Sequence, residues 1–241
     1  MSDKFIKYSC KVLWQMALPL FITCHLSLIT LSCTQDSYDK GEGKYSLMRA
    51  DFVEAHTNGQ KQIDFFTTDD GDQFPINKAF TTKWLTTADS TYRCILYYNK
   101  VGEGSGKFSA EPISISQVPC PKVTPLAELE KPMKTDPVKF ESAWLSKTGK
   151  YLNLSLYLMT GTTDDENISQ TLHVIQDTIM TNPDATRTSY LRLYHDQAGV
   201  PEYYSAQVYA SILTKQIEAD SVRISINTYK GEITKSFSLQ N

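Results

Sequence analysis

The side chains best suited to acid–base chemistry in this chain stand next to each other. His195 and Asp196 are adjacent, but no G-x-S-x-G motif provides a nucleophile for them. Neighbouring residues of a strand point to opposite faces, so these two side chains would diverge. The pattern favours a strand end that caps the turn before Gly199. The sequence therefore predicts no catalytic residues, and the chain is expected not to be an enzyme.

Two loops have the composition of ligand-binding motifs without their spacing. Three glycines precede Lys107, but Phe108 follows it, so the phosphate-binding pattern G-x-x-x-x-G-K-[ST] is absent. The acidic run at residues 69–72 lacks the spaced oxygen ligands of a calcium loop, and the run at residues 164–166 is typical of a solvated loop. We predict turns at these places, and no metal or cofactor.

Cys33 is the residue for which the sequence predicts a covalent modification. Three lysines precede an uncharged, mainly apolar stretch over residues 12–31, and Ser32 and Cys33 follow it. The order matches a secretory signal, and Leu31-Ser32-Cys33 resembles a bacterial lipobox, in which the cysteine is lipidated. A retained membrane helix is the alternative, but Pro19 and His25 interrupt the stretch. We predict a lipoprotein signal peptide over residues 1–32.

The segment after the cysteine predicts a tether. Residues 33–43 have no apolar periodicity and are rich in charge and turn formers. Several acyl chains on Cys33 would make membrane attachment permanent. The expected location is the cell envelope, lipid-anchored at the outer membrane, with the periplasmic and surface faces both open.

The composition narrows the partners that the chain can have. A net charge of −3 with interspersed charges gives no basic footprint, so no nucleic acid partner is expected. Cys94 and Cys120 are the cysteines beyond Cys33, and their number leaves a disulfide and two free thiols equally open.

Proline positions divide the chain into two domains. Five of the ten prolines fall between residues 118 and 138, where they remove backbone donors and favour extended geometry. We predict a linker over residues 119–137, a front domain over residues 44–118 and a back domain over residues 138–241.

Both domains have the pattern of short strands. In the front domain, Asn58-Gly59 indicates a hairpin, and five or six strands in about 75 residues predict a small OB-like antiparallel barrel. In the back domain, the stretch YLNLSLYLM at residues 151–159 places four leucines on one face. About seven such strands predict an Ig-like β-sandwich. The predicted fold class is all-β.

Several segments together resemble the NigD-like lipoproteins. The resemblance to their C-terminal sandwich domain rests on Trp144, GKYLNL at residues 149–154, LRLYHD at residues 191–196, the strand over residues 203–212 and NTYKG at residues 227–231. It implies a cell-envelope lipoprotein of anaerobic gut Gram-negative bacteria, in a family whose founding members were proposed as bacteriocin-immunity factors. The resemblance carries over no catalytic residues.

Tyrosines on the predicted strand faces are the candidate binding residues. They offer a large apolar area with a polar tip, as binding surfaces do. The candidates are Tyr97, Tyr98, Tyr151, Tyr157, Tyr203 and Tyr204. The sequence thus predicts a non-enzymatic envelope lipoprotein that binds a protein partner, with bacteriocin immunity as the narrower hypothesis. The alternative is a glycan-binding surface lipoprotein that uses the barrel and these tyrosines.

Overall fold

The computed structural model describes residues 47–104, 106–162 and 168–239, except the side chain of Glu103. The predicted signal peptide, the tether, the lipidated Cys33 and the acidic run at residues 164–166 lie outside the described residues.

Five strands of the N-terminal domain form a closed barrel. They are β1 (Arg49–Thr57), β2 (Ile63–Thr68), β3 (Gln73–Phe80), β4 (Thr91–Gly104) and β5 (Lys107–Gln117). The order around the barrel is β1-β2-β3-β5-β4, and β4 pairs antiparallel with β1. The β3–β5 contact is a single parallel pair, Ile76 with Ala110. This order confirms the predicted OB-like barrel.

The barrel core follows the period of two expected of strands. On β4, Cys94, Leu96 and Tyr98 belong to the buried barrel core. Their neighbours Arg93, Ile95 and Tyr97 therefore point outward. The outward face of β4 is the one that carries the site described below.

Two turns of the barrel show how the loops are built. The segment with three glycines before Lys107 is the β4–β5 hairpin turn, with positive φ at Gly104 (82°) and Gly106 (75°), as predicted. The β1–β2 hairpin exists, but its positive φ lies at Lys61 rather than at Gly59. The Asn58 side chain explains this difference, because its oxygen accepts the backbone N–H groups of Gln60 (2.9 Å) and Gln62 (3.0 Å) and so organises a longer turn.

The C-terminal domain packs two sheets against each other. Its strands are β6 (Val123–Pro125), β7 (Lys139–Leu145), β8 (Tyr151–Thr160), β9 (Thr171–Thr181), β10 (Arg187–Asp196), β11 (Tyr204–Leu213), β12 (Ser221–Thr228) and β13 (Gly231–Ser238). The sheet orders are β13-β12-β10-β9-β6 and β11-β8-β7. Short 3₁₀ turns occupy Leu126–Glu128 and Thr214–Gln216. The β-sandwich is confirmed.

The sandwich core contains the leucine face of β8. Leu152, Leu154, Leu156 and Leu158 pack in one buried cluster with apolar residues of the opposite sheet, including Leu191 and Ile224. Burying such side chains contributes roughly 1.5–3 kcal/mol each, so this cluster is the main stabilising element of the domain.

The proline-rich segment over residues 119–137 lies along the sandwich. Val123–Pro125 forms β6, which pairs in parallel with β9 at the edge of the five-stranded sheet. Further on, the Asp136 N–H donates to the carbonyl of His195 (3.0 Å). The prolines thus keep the segment extended, while backbone hydrogen bonds attach it to the sandwich. The segment predicted as a linker contributes a strand to the domain that follows it.

Both cysteines of the described residues are free thiols. Cys94 is buried in the barrel and Cys120 is exposed. Burial raises the pKa of the Cys94 thiol to about 12, so it stays protonated. Among the described residues, no helix is both long and apolar enough to span a bilayer.

Candidate functional site

The six candidate tyrosines occupy different environments. Tyr98 is buried in the barrel core, where its hydroxyl donates to Asp51 Oδ2 at 2.7 Å. Tyr151 is buried beneath the barrel. The prediction of an exposed binding surface is therefore wrong for these two residues. Tyr98 faces inward because its neighbour Tyr97 takes the outward position on the same strand.

The polar face of β8 is buried by the barrel. Asn153 is fully inaccessible and Ser155 is 2 % exposed, although the leucines on the other face already fill the sandwich core. The sequence predicts a half-buried strand with this face in water. The face is instead covered because the barrel packs against the three-stranded sheet.

A buried arginine connects the two domains at this junction. Arg93 of β4 forms two hydrogen bonds to Asp69, Nη1 to Oδ1 at 2.6 Å and Nη2 to Oδ2 at 2.7 Å. From the sandwich, Ser211 Oγ accepts from Arg93 Nε at 3.1 Å and Asn153 Oδ1 accepts from Arg93 Nη2 at 3.0 Å. The Arg93 side chain is only 3 % exposed. Its charge is therefore satisfied by both domains at once.

The sandwich residues of this network also bind each other and Asp69. Ser211 Oγ donates to Asn153 Oδ1 at 2.7 Å, and Asn153 Nδ2 donates to Asp69 Oδ2 at 3.0 Å. The amide of Asn153 thus links the guanidinium and the carboxylate. Such a network holds one geometry, because moving any member leaves a buried polar group unpaired.

Aromatic rings surround the guanidinium. Arg93 Cζ lies 4.1 Å from the Tyr151 ring centroid and 5.2 Å from that of Phe52. Phe52 in turn packs edge-on against Trp144 and Tyr209, with centroids 5.4 and 5.3 Å apart. These contacts exclude water and strengthen the ion pair at its centre.

A second polar contact crosses the junction at Glu54 of β1. The Tyr151 hydroxyl donates to Glu54 Oε1 at 2.6 Å, and Lys150 forms an ion pair with the same oxygen. Burial alone would raise the pKa of Glu54, but the hydrogen bonds from Lys150 and Tyr151 outweigh it and hold the pKa below the usual 4.5. Glu54 is therefore ionised at neutral pH.

A groove opens beside the junction, which we call the junction groove. Ile95, Tyr97 and Val118 line it from the barrel, and Gln207, Val208 and Tyr209 line it from β11. Its volume is about 320 Å³. Next to the groove, the backbone N–H of Ser211 on β11 donates to the carbonyl of Pro119 (3.0 Å), which joins the two sides of the junction. Tyr97 is the one candidate tyrosine that lines this groove.

Tyr157 lies near the groove and is held by charged neighbours. Its strand position pairs with Gln207, and its hydroxyl lies 3.4 Å from Glu141 Oε1. Lys139 Nζ lies 4.8 Å from the ring centroid. Gln207 donates to the same carboxylate at 2.6 Å, so Glu141 fixes the side chains at this end of the groove.

The remaining candidates form an exposed surface at one end of the sandwich. Tyr203 is 76 % exposed, Tyr204 56 % and Tyr229 49 %. We call these three residues the tyrosine edge. Sequence reasoning missed Tyr229, which lies in the β12–β13 turn and whose hydroxyl donates at 3.2 Å to Glu202, the chain neighbour of Tyr203.

The tyrosine edge rests on a glycine. A Cβ atom at Gly161 would lie 2.7 Å from Tyr203 Cδ2 and 3.0 Å from Pro201 Cβ. A side chain at position 161 would therefore push the Tyr203 ring away, and Gly161 leaves the room that the ring occupies.

The adjacent His195 and Asp196 have structural contacts. His195 is buried, with Nδ1 2.9 Å from the carbonyl of Asp136 and Nε2 3.0 Å from Gln170 Oε1. Asp196 accepts from the Ala198 N–H at 2.9 Å, which is the turn-capping contact expected before Gly199. Within the described residues, no three His, Cys, Asp or Glu side chains are placed to hold a metal ion.

Fold and junction together define a class of protein. This is a two-domain all-β protein, in which an OB-like barrel packs against a β-sandwich. Residues 122–240 match the family model of the NigD-like C-terminal β-sandwich domain. The C-terminal domain belongs to this family, which confirms the resemblance found in the sequence.

Solved structures share the two-domain architecture. A NigD-like immunity protein from Bacteroides caccae superposes with a TM-score of 0.60 at 20 % identity, covering 79 % of this chain and 96 % of that one. A protein of unknown function from Bacteroides vulgatus gives 0.59 at 15 %, covering 79 % and 90 %. A candidate lipoprotein from Bacteroides fragilis gives 0.56 at 10 %, covering 80 % and 99 %. At these identities the likeness shows the fold alone. No curated protein matched the chain significantly.

Replacing Arg93 by alanine should destabilise the protein strongly. The change leaves Asp69 and Asn153 without their partner, and breaking a buried pair costs roughly 3–5 kcal/mol; because Asp69 is 19 % exposed, we expect about 3 kcal/mol. The measurement is the free energy of unfolding in urea. Arg192→Ala is the matched control, because its side chain is 40 % exposed beside Asp177 and such a pair contributes about 0–1 kcal/mol. Equal losses in the two variants would contradict a dominant role for Arg93.

Glu54 should make the stability sensitive to acid. Its folded pKa lies below 4.5, so its contribution is fully present above that pH and is lost as the pH falls through the folded value. We expect Glu54→Gln to lower the free energy of unfolding by about 1 kcal/mol at neutral pH, and the difference from the wild type to shrink in acid. Glu232→Gln, at an exposed position of β13, is the control and should change little at any pH. A gap that stays constant into acid would refute the assignment.

Proposed function

We propose that this protein is a non-enzymatic, lipid-anchored protein of the cell envelope that binds a protein partner through the tyrosine edge. The observation that carries the proposal is the exposure of Tyr203, Tyr204 and Tyr229 at one end of the sandwich. Membership of the C-terminal domain in the NigD-like family supports it.

The tyrosine edge has the chemistry of a protein-binding surface. Tyrosine offers a large contact area with two rotatable side-chain bonds, so little conformational entropy is lost on binding. Tyr203 lies beside Gly161, and the Tyr229 hydroxyl donates to Glu202. Aromatic anchors of this kind contribute most of the binding energy at protein interfaces.

We further propose that the partner is a protein toxin and that the role is immunity. Support comes from the structurally similar protein of Bacteroides caccae, which is named a NigD-like immunity protein. An outer-membrane anchor at Cys33 would keep the protein in the cell envelope, which a toxin from a competing cell has to cross. The candidate lipoprotein of Bacteroides fragilis, which shares the fold, supports the anchor.

The proposal is tested by survival of the host bacterium. Strains with the gene deleted, and strains complemented with the wild type, are exposed to culture supernatants of competing bacteria. We expect the deletion to reduce survival and the wild type to restore it. Restoration should fail with the double variant Tyr203→Ala/Tyr204→Ala. The control is Phe108→Ala, which removes an aromatic ring 48 % exposed on the barrel.

Three outcomes would count against the proposal. Equal survival with and without the gene would remove the immunity role. Full protection by the double tyrosine variant would remove the tyrosine edge as the binding surface. Unaltered palmitate labelling of a Cys33→Ala variant would remove the lipid anchor.

A further inference from the structure

We infer that the junction groove is a binding site for a neutral oligosaccharide, separate from the tyrosine edge. Two tyrosines from different domains line it: Tyr97 projects from β4 of the barrel and Tyr209 from β11 of the sandwich. Sugar rings present apolar C–H faces that pack on aromatic rings, and hydroxyls that need hydrogen-bonding partners. The groove offers both kinds of contact.

The aromatic part of the groove is held in place by the junction. Tyr209 packs edge-on against Phe52, with an angle of 84° between the rings, and Phe52 lies against the Arg93 guanidinium. The Tyr209 ring therefore cannot rotate freely without disturbing the buried network. A ring fixed before binding loses little entropy when a ligand packs on it.

The polar groups of the groove are available for a ligand. In the described part of the chain, the hydroxyls of Tyr97, Tyr209 and Ser116 and the side-chain amide of Gln117 form no hydrogen bond to the protein. Gln207 uses its amide N–H groups on Glu141 (2.6 Å) and Ser155 (3.1 Å), which leaves its carbonyl oxygen to accept. Other tyrosines differ: those at 98, 151, 157 and 229 all have a carboxylate beside their hydroxyl.

The uncharged lining of the groove favours a neutral ligand. None of the residues that line the groove is charged. A charged ligand would lose its hydration without gaining an opposite charge, whereas a neutral polyol would exchange water for hydroxyl and amide partners. The volume of about 320 Å³ lies at the lower end of the roughly 300–1,000 Å³ typical of small-ligand sites.

The position of the groove differs from the binding face general to OB barrels. That face is formed by strands 2 and 3 with their adjoining loops. The junction groove instead lies on the outer side of β4 and β5 and needs β11 of the sandwich to complete it. The site therefore exists only because the two domains are docked.

The test is a binding titration with the full chain in micelles of lauryldimethylamine oxide, a detergent without a sugar headgroup. The probes are neutral hexasaccharides of glucose, mannose and xylose, with hexagalacturonic acid as the charged counterpart. We expect at least one neutral probe to bind with a Kd below about 1 mM. Tyr97→Ala should weaken that binding about tenfold, the factor that corresponds to 1.4 kcal/mol. Tyr209→Phe, which keeps the ring and the Phe52 contact, should weaken it less.

Phe108→Ala is the matched control, because it removes an exposed aromatic ring outside both the junction groove and the tyrosine edge and should leave sugar binding unchanged. Thermal unfolding of each variant checks that the fold is retained. The inference is overturned if no neutral probe binds up to about 10 mM, if Tyr97→Ala binds as the wild type does, or if hexagalacturonic acid binds best. These variants lie outside the tyrosine edge, so failure here and failure of the survival assay are distinguishable.

Discussion

The guanidinium of Arg93 can be buried only while both domains contact it. Asp69 of the barrel neutralises its charge, and Asn153 and Ser211 of the sandwich take up further N–H groups. An unpaired buried charge is far more costly than an exposed one, so separating the domains would need water to enter the junction. The relative position of barrel and sandwich follows from this requirement.

Docking changes what the two domains can present to a ligand. It removes the polar face of β8 from solvent, so Tyr151 is buried and is not accessible to a ligand. It also brings Tyr97 of β4 and Tyr209 of β11 to opposite sides of one groove. The tyrosine edge, at the β10–β11 and β12–β13 connections, remains exposed. The protein thus has two separate candidate surfaces, one built by docking and one by the sandwich alone.

Local pattern was enough to predict the fold class and the two kinds of domain. The leucine alternation on β8 fixes one buried face whatever else surrounds the strand, and short strands with turn residues predict a barrel and a sandwich. The pairing of strands that lie far apart in the sequence could not be predicted from local pattern. Val123–Pro125 becomes a strand only because β9 provides a partner 51 residues further on, at Val174 for Val123.

The site was harder to predict than the fold because it depends on contacts between distant residues. Asp69 was correctly assigned to a turn, but its role comes from Arg93, 24 residues away, and from Asn153, 84 residues away. The alternation of β8 predicts that Asn153 faces solvent, since nothing local indicates that a second domain covers it. Tyr98 could have been separated from Tyr97 by following the alternation of β4 from Cys94.

We expect the Arg93 network to hold barrel and sandwich together as one rigid unit. Residual dipolar couplings of backbone amides test it most directly: one alignment tensor fitting both domains is the expected result, and two different tensors would contradict it.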